Sequence, residues 1–360
     1  MGRSGEGYLR SQGRTASRPP GACGEGGGSR APRPGGVLRP LLACLCLSPS
    51  LAVAGAPPTT RCPEALAADI PPRSVSAVDG TRFAAQVGTA DAQGRERAIE
   101  QELLSGNVPA FLRRLKPVTL SAQAPSGAAL AVTVCVMPDY LAVGSDADFL
   151  RVPMGLPTAT AIASRLGFVL PTRKMVDAIH AQADARVTPS PMAPGPEMRS
   201  TAYYVAHDQR IHAQQTALGI GLGALLSGQK KDVVLTNLLA RNPGRVAIYG
   251  WHRPDGRPIQ PLSTVHGARY ADYSHGLRLV SDVAYVNGVP TSVYAILEDP
   301  ARASALSDEG PVRGLAALIP PHADPAERLA RVSARSDGGV PEAPDPTLEE
   351  SPQTDPGAPG

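Results

Sequence analysis

No apolar run in this 360-residue chain reaches the roughly 18 residues that a membrane span needs, so no integral membrane segment is expected in the mature chain. Aromatic side chains are few, with one Trp and four Phe, while 37 Gly and 38 Pro are spread along the sequence. So many helix breakers exclude a coiled coil and an all-helical bundle. Concentrated basic charge is also missing. Residues 57–336 carry 28 basic and 24 acidic side chains, too mild and dispersed an excess to predict nucleic acid as a partner, though compatible with an anionic small molecule or a cell-wall fragment as substrate. The helical two-histidine zinc motif with its intervening Glu, a cysteine-based zinc site and the ordered pattern of a phosphate loop are all absent, as is any internal repeat.

What is present divides the chain into unlike parts. Residues 1–36 are rich in Gly and Arg and almost lack branched apolar side chains, which reads as disorder or a misassigned start. Residues 37–56 have the parts of a secretory signal peptide: Arg39, the apolar stretch from Leu41 to Leu47, and the small-x-small run Ala52-Val53-Ala54. Residues 57–80 read as a Pro-rich lead-in, 81–312 as a globular domain and 313–336 as a short helical extension. Residues 337–360, with six acidic side chains and no basic one, read as an acidic Pro-rich disordered tail. A secreted or periplasmic location is the resulting expectation. Setting the leader aside leaves two cysteines, Cys62 and Cys135. An exported pair invites a disulfide. Cys135 lies in an apolar strand, however, which equally suits a buried free thiol and argues against a nucleophile.

Periodicity places helices first and strands later. Apolar positions from Ile99 to Leu115 fit a helix interrupted near Asn107-Val108-Pro109. Ala128 to Met137 is a β-branched apolar run, the pattern of a strand buried on both faces. Helices are expected over 158–166 and 171–183, the second opening on Thr172 as cap, and 203–218 is compatible with a third. Strands are expected at 245–251, 277–286 and 291–297, with Asn287-Gly288 as a hairpin turn. This order predicts an α+β fold in a single globular domain, with N-terminal helices and a buried strand followed by a largely antiparallel sheet in the C-terminal half.

Chemistry-bearing residues concentrate between Trp251 and Arg278. Three of the seven histidines, His252, His266 and His275, lie here with Asp272. Imidazole titrates near neutral pH, and a neighbouring carboxylate fixes its tautomer, so His266, Asp272 and His275 are the candidate catalytic groups. The same three residues are the candidate ligands if a zinc ion is bound. Trp251, His252, Arg269, Tyr270, Tyr273, Arg278 and Lys231 are the candidate substrate-binding residues. A purely structural role, with the histidines satisfying backbone groups in tight loops, is the competing account.

Ser274-His275-Gly276-Leu277-Arg278, with His266-Gly267 upstream, resembles the Ser-His-Gly-Cys-x-Arg signature of the L,D-transpeptidases over residues 266–278. Leu277 stands where that family's nucleophilic cysteine belongs and Arg278 comes one residue early, so neither the family nor its mechanism is carried over. The favoured expectation is an exported hydrolase using a His/Asp site, with a cell-envelope polymer or peptide as substrate. The alternative is a non-catalytic secreted ligand-binding module whose recognition surface is built from Trp251, His252, Tyr270 and Tyr273.

Overall fold

The computed structural model describes residues 61–336, so the leader and acidic-tail readings lie outside the described residues. In chain order the strands are β1 (Lys116–Gln123), β2 (Ala129–Val136), β3 (Ala142–Gly144), β4 (Phe149–Arg151), β5 (Phe168–Val169), β6 (Ala185–Arg186), β7 (Leu226–Ser227), β8 (Lys231–Val233), β9 (Ile248–His252), β10 (Pro258–Ser263), β11 (His275–Gly276), β12 (Val280–Val286) and β13 (Val289–Ser292). The longer helices are α1 (Gly80–Gln86), α2 (Ala92–Leu104), α3 (Leu156–Arg165), α4 (Arg173–Gln182) and α5 (Thr201–Ala217). The fold is α+β with sheets dominated by antiparallel pairs.

The main sheet runs β1-β2-β12-β13, with β5 also pairing β12, and all its pairs are antiparallel. Its centre is the apolar run read from sequence: Val132, Val134, Cys135 and Val136 of β2 are fully buried. Asn287 and Gly288 both take positive φ, 47° and 84°, so the β12–β13 hairpin turns as the Asn-Gly pair predicts. The strand expected over 291–297 is corrected. β13 stops at Ser292 and Val293–Glu298 is helical, burying Val293, Tyr294, Ile296 and Leu297. Those positions recur at helical spacing; their β-branched and aromatic character pointed to the other period.

The smaller sheet, β10-β9-β8-β11, carries the chemistry-bearing residues, and its β8–β11 pair is parallel, with His275 opposite Lys231. Glycine is required where this sheet meets the rest: a Cβ on Gly276 would lie 2.5 Å from the Tyr140 ring. Thr172 caps α4 as expected, its hydroxyl accepting the Met175 N–H.

Both flanking segments belong to the packed body. Cys62, Leu66 and Ile70, within the Pro-rich lead-in, sit in the main core. Cys62 is bonded to Cys135, with Cα atoms 5.8 Å apart. The extension docks through Arg328, 4% exposed, which pairs with Asp69 at 2.7 Å and Asp282 at 3.1 Å. A second buried cation, Arg151, fully enclosed, bridges Asp139 and Asp208 at 2.7 and 2.8 Å and ties β4 to α5. Among the described residues no helix is long and apolar enough to cross a membrane.

Candidate functional site

The segment from Arg245 to Gly276 runs out through β9, returns through β10 and reaches β11 by a tight turn at Asp272. Here the Ser274 N–H and hydroxyl both donate to Asp272 Oδ1, at 2.8 and 2.5 Å, and the His275 N–H donates to the Asp272 carbonyl at 3.0 Å. This short-range side-chain bonding fits an Asp three residues before a strand. The Tyr270 hydroxyl donates to Asp272 Oδ2 at 3.1 Å, so both carboxylate oxygens are engaged. The Tyr270 ring in turn stacks on His266, centroids 4.0 Å apart and planes within 7°.

His275 lies beneath this stack, 6.2 Å from His266 between ring centroids and fully buried. Its Nε2 is 3.9 Å from Asp272 Oδ2, beyond hydrogen-bond reach, and neither ring nitrogen has a partner among the described residues. Lys231 enters from β8, its ammonium 5.2 Å from the Trp251 ring centroid. From the other side the Arg199 guanidinium sits 5.3 Å over the Tyr270 ring.

Burial sets the protonation states. It holds the His275 imidazole down to about 4 against the pull of Asp272, so the ring is neutral at physiological pH. His266 is lowered by the same cause, opposed by Asp272 and reinforced by Lys231. Burial raises Asp272 but is outweighed by His275, the Ser274 bonds and Lys231, which leave it below the ordinary carboxylate range and ionised. The Tyr270 hydroxyl is pushed up to about 12 by burial and by Asp272, and therefore stays a donor. The result is a half-exposed neutral imidazole, backed by an anchored phenol and an ionised carboxylate and flanked by an ammonium group.

His266, Tyr270, Asp272, His275, Lys231 and Trp251 thus come together, and four other candidates fall elsewhere. Arg278 is enclosed by packing, donates to the carbonyls of Met137 and Leu226 and stacks on Tyr140, so it holds elements together. Tyr273 is buried, with its hydroxyl bonded to the Met192 backbone. His252 turns away to Asp177 on α4, at 2.9 Å. Arg269 is exposed and borders a small cavity of about 150 Å³ beside Glu96 and Thr158. Leu277, at the place of the transpeptidase cysteine, is 1% exposed within the core.

The zinc reading does not fit the donor set. Asp272 already accepts three hydrogen bonds, His266 is stacked on Tyr270, and among the described residues no three His, Cys, Asp or Glu side chains are arranged to hold a metal ion. Sequence reading missed Arg199, distant in the chain and without a motif. It also missed the carboxylate–histidine pair Asp208 with His212 on α5, whose spacing of four was visible as one-face neighbours, and Asp177 on α4 as the partner of His252. No family model, curated protein or solved structure matches the chain.

Proposed function

We propose that the protein is an exported hydrolase in which His266 is the proton-transfer group, acting on a cell-envelope polymer or peptide. The observation that carries this reading is the His266–Tyr270–Asp272 chain: a half-exposed imidazole stacked on a phenol whose hydroxyl is anchored to a buried, ionised carboxylate. His266 takes a proton from the attacking water as oxygen bonds to the acyl carbon. Lys231 stabilises the developing oxyanion, and the imidazolium returns the proton to the leaving group as the scissile bond breaks. Asp272 favours the imidazolium through space, and the Tyr270 ring sets the plane of His266. His275, neutral and enclosed, holds the wall behind Asp272.

The Cys62–Cys135 disulfide supports export, because such bonds persist in oxidising compartments. Of the residues in the binding-module alternative, Trp251, His252 and Tyr273 are 5%, 3% and 2% exposed, while Tyr270 is half-exposed. The test is digestion of purified cell-wall polymer and its peptides in ¹⁸O-water, with products read by mass spectrometry. The wild type is expected to release ¹⁸O-labelled fragments, and His266→Gln to lose about 100-fold or more of the rate. Absence of labelled product from every wall substrate, or equal rates for the two proteins, refutes the reading.

A further inference from the structure

A second constellation lies between α4 and β9, and it stands independently of His266. Asp177 and His180 project from α4 one turn apart, while Tyr249 and His252 come from β9. The Tyr249 hydroxyl and His252 Nε2 both meet Asp177 Oδ1 at 2.9 Å. An unbroken strand sends residues three apart to opposite faces. These two reach one oxygen because the backbone between them is irregular: Gly250 has φ 99° and Trp251, a bulky non-glycine residue, has φ 53°. Such strain persists where surrounding structure over-determines it, and it gathers at functional sites. Here it delivers Trp251 to the Lys231 side and His252 to Asp177.

The His252 ring is then sandwiched by His180, centroids 4.7 Å apart with planes within 19°. His180 is itself held by Ser227, Nδ1 to Oγ at 2.9 Å. Beside this set opens a hollow of about 510 Å³, large enough for a small-molecule ligand. Burial, with His252 and Arg186 adding to it, keeps His180 down to about 4, so its imidazole is neutral. Arg186 spends Nε and Nη2 on the carbonyls of His180 and Ala181, which fixes the guanidinium at the rim. The second rim carboxylate, Asp255, lies 4.0 Å from Arg257. The wall therefore offers one fixed carboxylate against one fixed guanidinium, the neutral imidazole of His180, and the exposed rings of Pro254 and Pro258. Asp177 Oδ2 and Arg186 Nη1 have no hydrogen-bond partner among the described residues.

From this arrangement we infer that the hollow is a saccharide-binding site for a neutral, hydroxyl-rich ring. Asp177 Oδ2 accepts from a sugar hydroxyl, Arg186 donates to its neighbour, and the apolar face of the ring lies on the exposed Pro254 and Pro258. With Asp177 and Asp255 against Arg186 the wall has no positive excess, which disfavours an anionic occupant.

Saturation-transfer NMR and calorimetric titration of the full chain with N,N′,N″-triacetylchitotriose and with cellotriose test the site. At least one of these neutral trisaccharides is expected to bind the wild type. Asp177→Asn, which keeps the shape and removes the charge, is expected to weaken it about tenfold or more. Ala181→Arg places a long side chain into the hollow from an exposed helix position and is expected to abolish binding with the melting temperature unchanged, which separates loss of the site from loss of the fold. The inference is overturned if neither trisaccharide binds the wild type at millimolar concentration, or if binding survives in both variants.

Discussion

Replacing both Cys62 and Cys135 with alanine probes the disulfide that ties the lead-in segment to the centre of the main sheet. The bond joins residues 73 positions apart, and closing a loop of that length in the unfolded chain is worth about 4 kcal/mol on the chain-entropy account. In a folded body of this size about 1 kcal/mol corresponds to 2–4 °C in the unfolding midpoint, so the double variant should melt roughly 10 °C below the oxidised wild type. Part of the loss is packing, because Cys135 is fully enclosed between the valines of β2 and its sulfur fills core volume. Calorimetry of the oxidised wild type, the wild type refolded under reductant and the double variant separates the contributions: the reduced protein loses the loop term alone, the variant both. Midpoints agreeing within about 2 °C across all three would refute the argument that this loop constrains the unfolded state. The oxidised protein should also resist alkylation by iodoacetamide at both positions, since neither sulfur is then a thiol.

Other consequences follow from buried charge. His275 and His180, both depressed to about 4 in the folded state, take up protons more readily when unfolded, so stability should fall as pH drops from about 6.5 towards 4. Urea midpoints at pH 7, 5.5 and 4.5 measure it, and His275→Gln should flatten the slope; an unchanged slope sinks the assignment. Asp208 is held at about 2, chiefly by Arg151 working against burial, and so contributes stability that is present above the ordinary carboxylate range and lost as pH falls through that value. Arg151→Met leaves Asp139 and Asp208 enclosed without their cation and should cost about 3–5 kcal/mol, read as a collapse of the denaturant midpoint or of soluble yield. A variant as stable as the wild type contradicts the ion-pair account.

The part of the molecule legible in sequence is the part governed by near neighbours. Val132 to Val136 announce a doubly buried strand because burial on both faces leaves no charged position and favours β-branched side chains, Thr133 included, and Asn287-Gly288 announces its hairpin because few other pairs accept two positive φ angles. The loop holding His266, Tyr270 and Asp272 was legible for the same reason, since its contacts span only a few positions. Contacts across long separations left no such mark. Arg278 looked like a ligand-binding cation beside the histidines, yet its partners are the carbonyls of Met137 and Leu226, so a buried arginine satisfied by backbone cannot be told from a surface one by its neighbours in the chain. His252 shows the limit most clearly. Strand periodicity places it opposite Tyr249, and only the positive φ at Gly250 and at Trp251 brings the two to one oxygen of Asp177. Glycine tolerates that conformation freely, whereas tryptophan does so only under tertiary constraint, so the pattern-breaking residue is the one whose backbone preference gives no warning. Trp251→Gly, which removes the strain and the indole together, should therefore retain the Asp177–His252 bond while emptying the space under Lys231. Histidine side-chain ¹⁵N shifts report both effects: the His252 resonance should stay fixed while His207, packed against the indole at 6.1 Å, moves. Movement of His252 instead would show that the indole, and not the backbone turn, aims the ring.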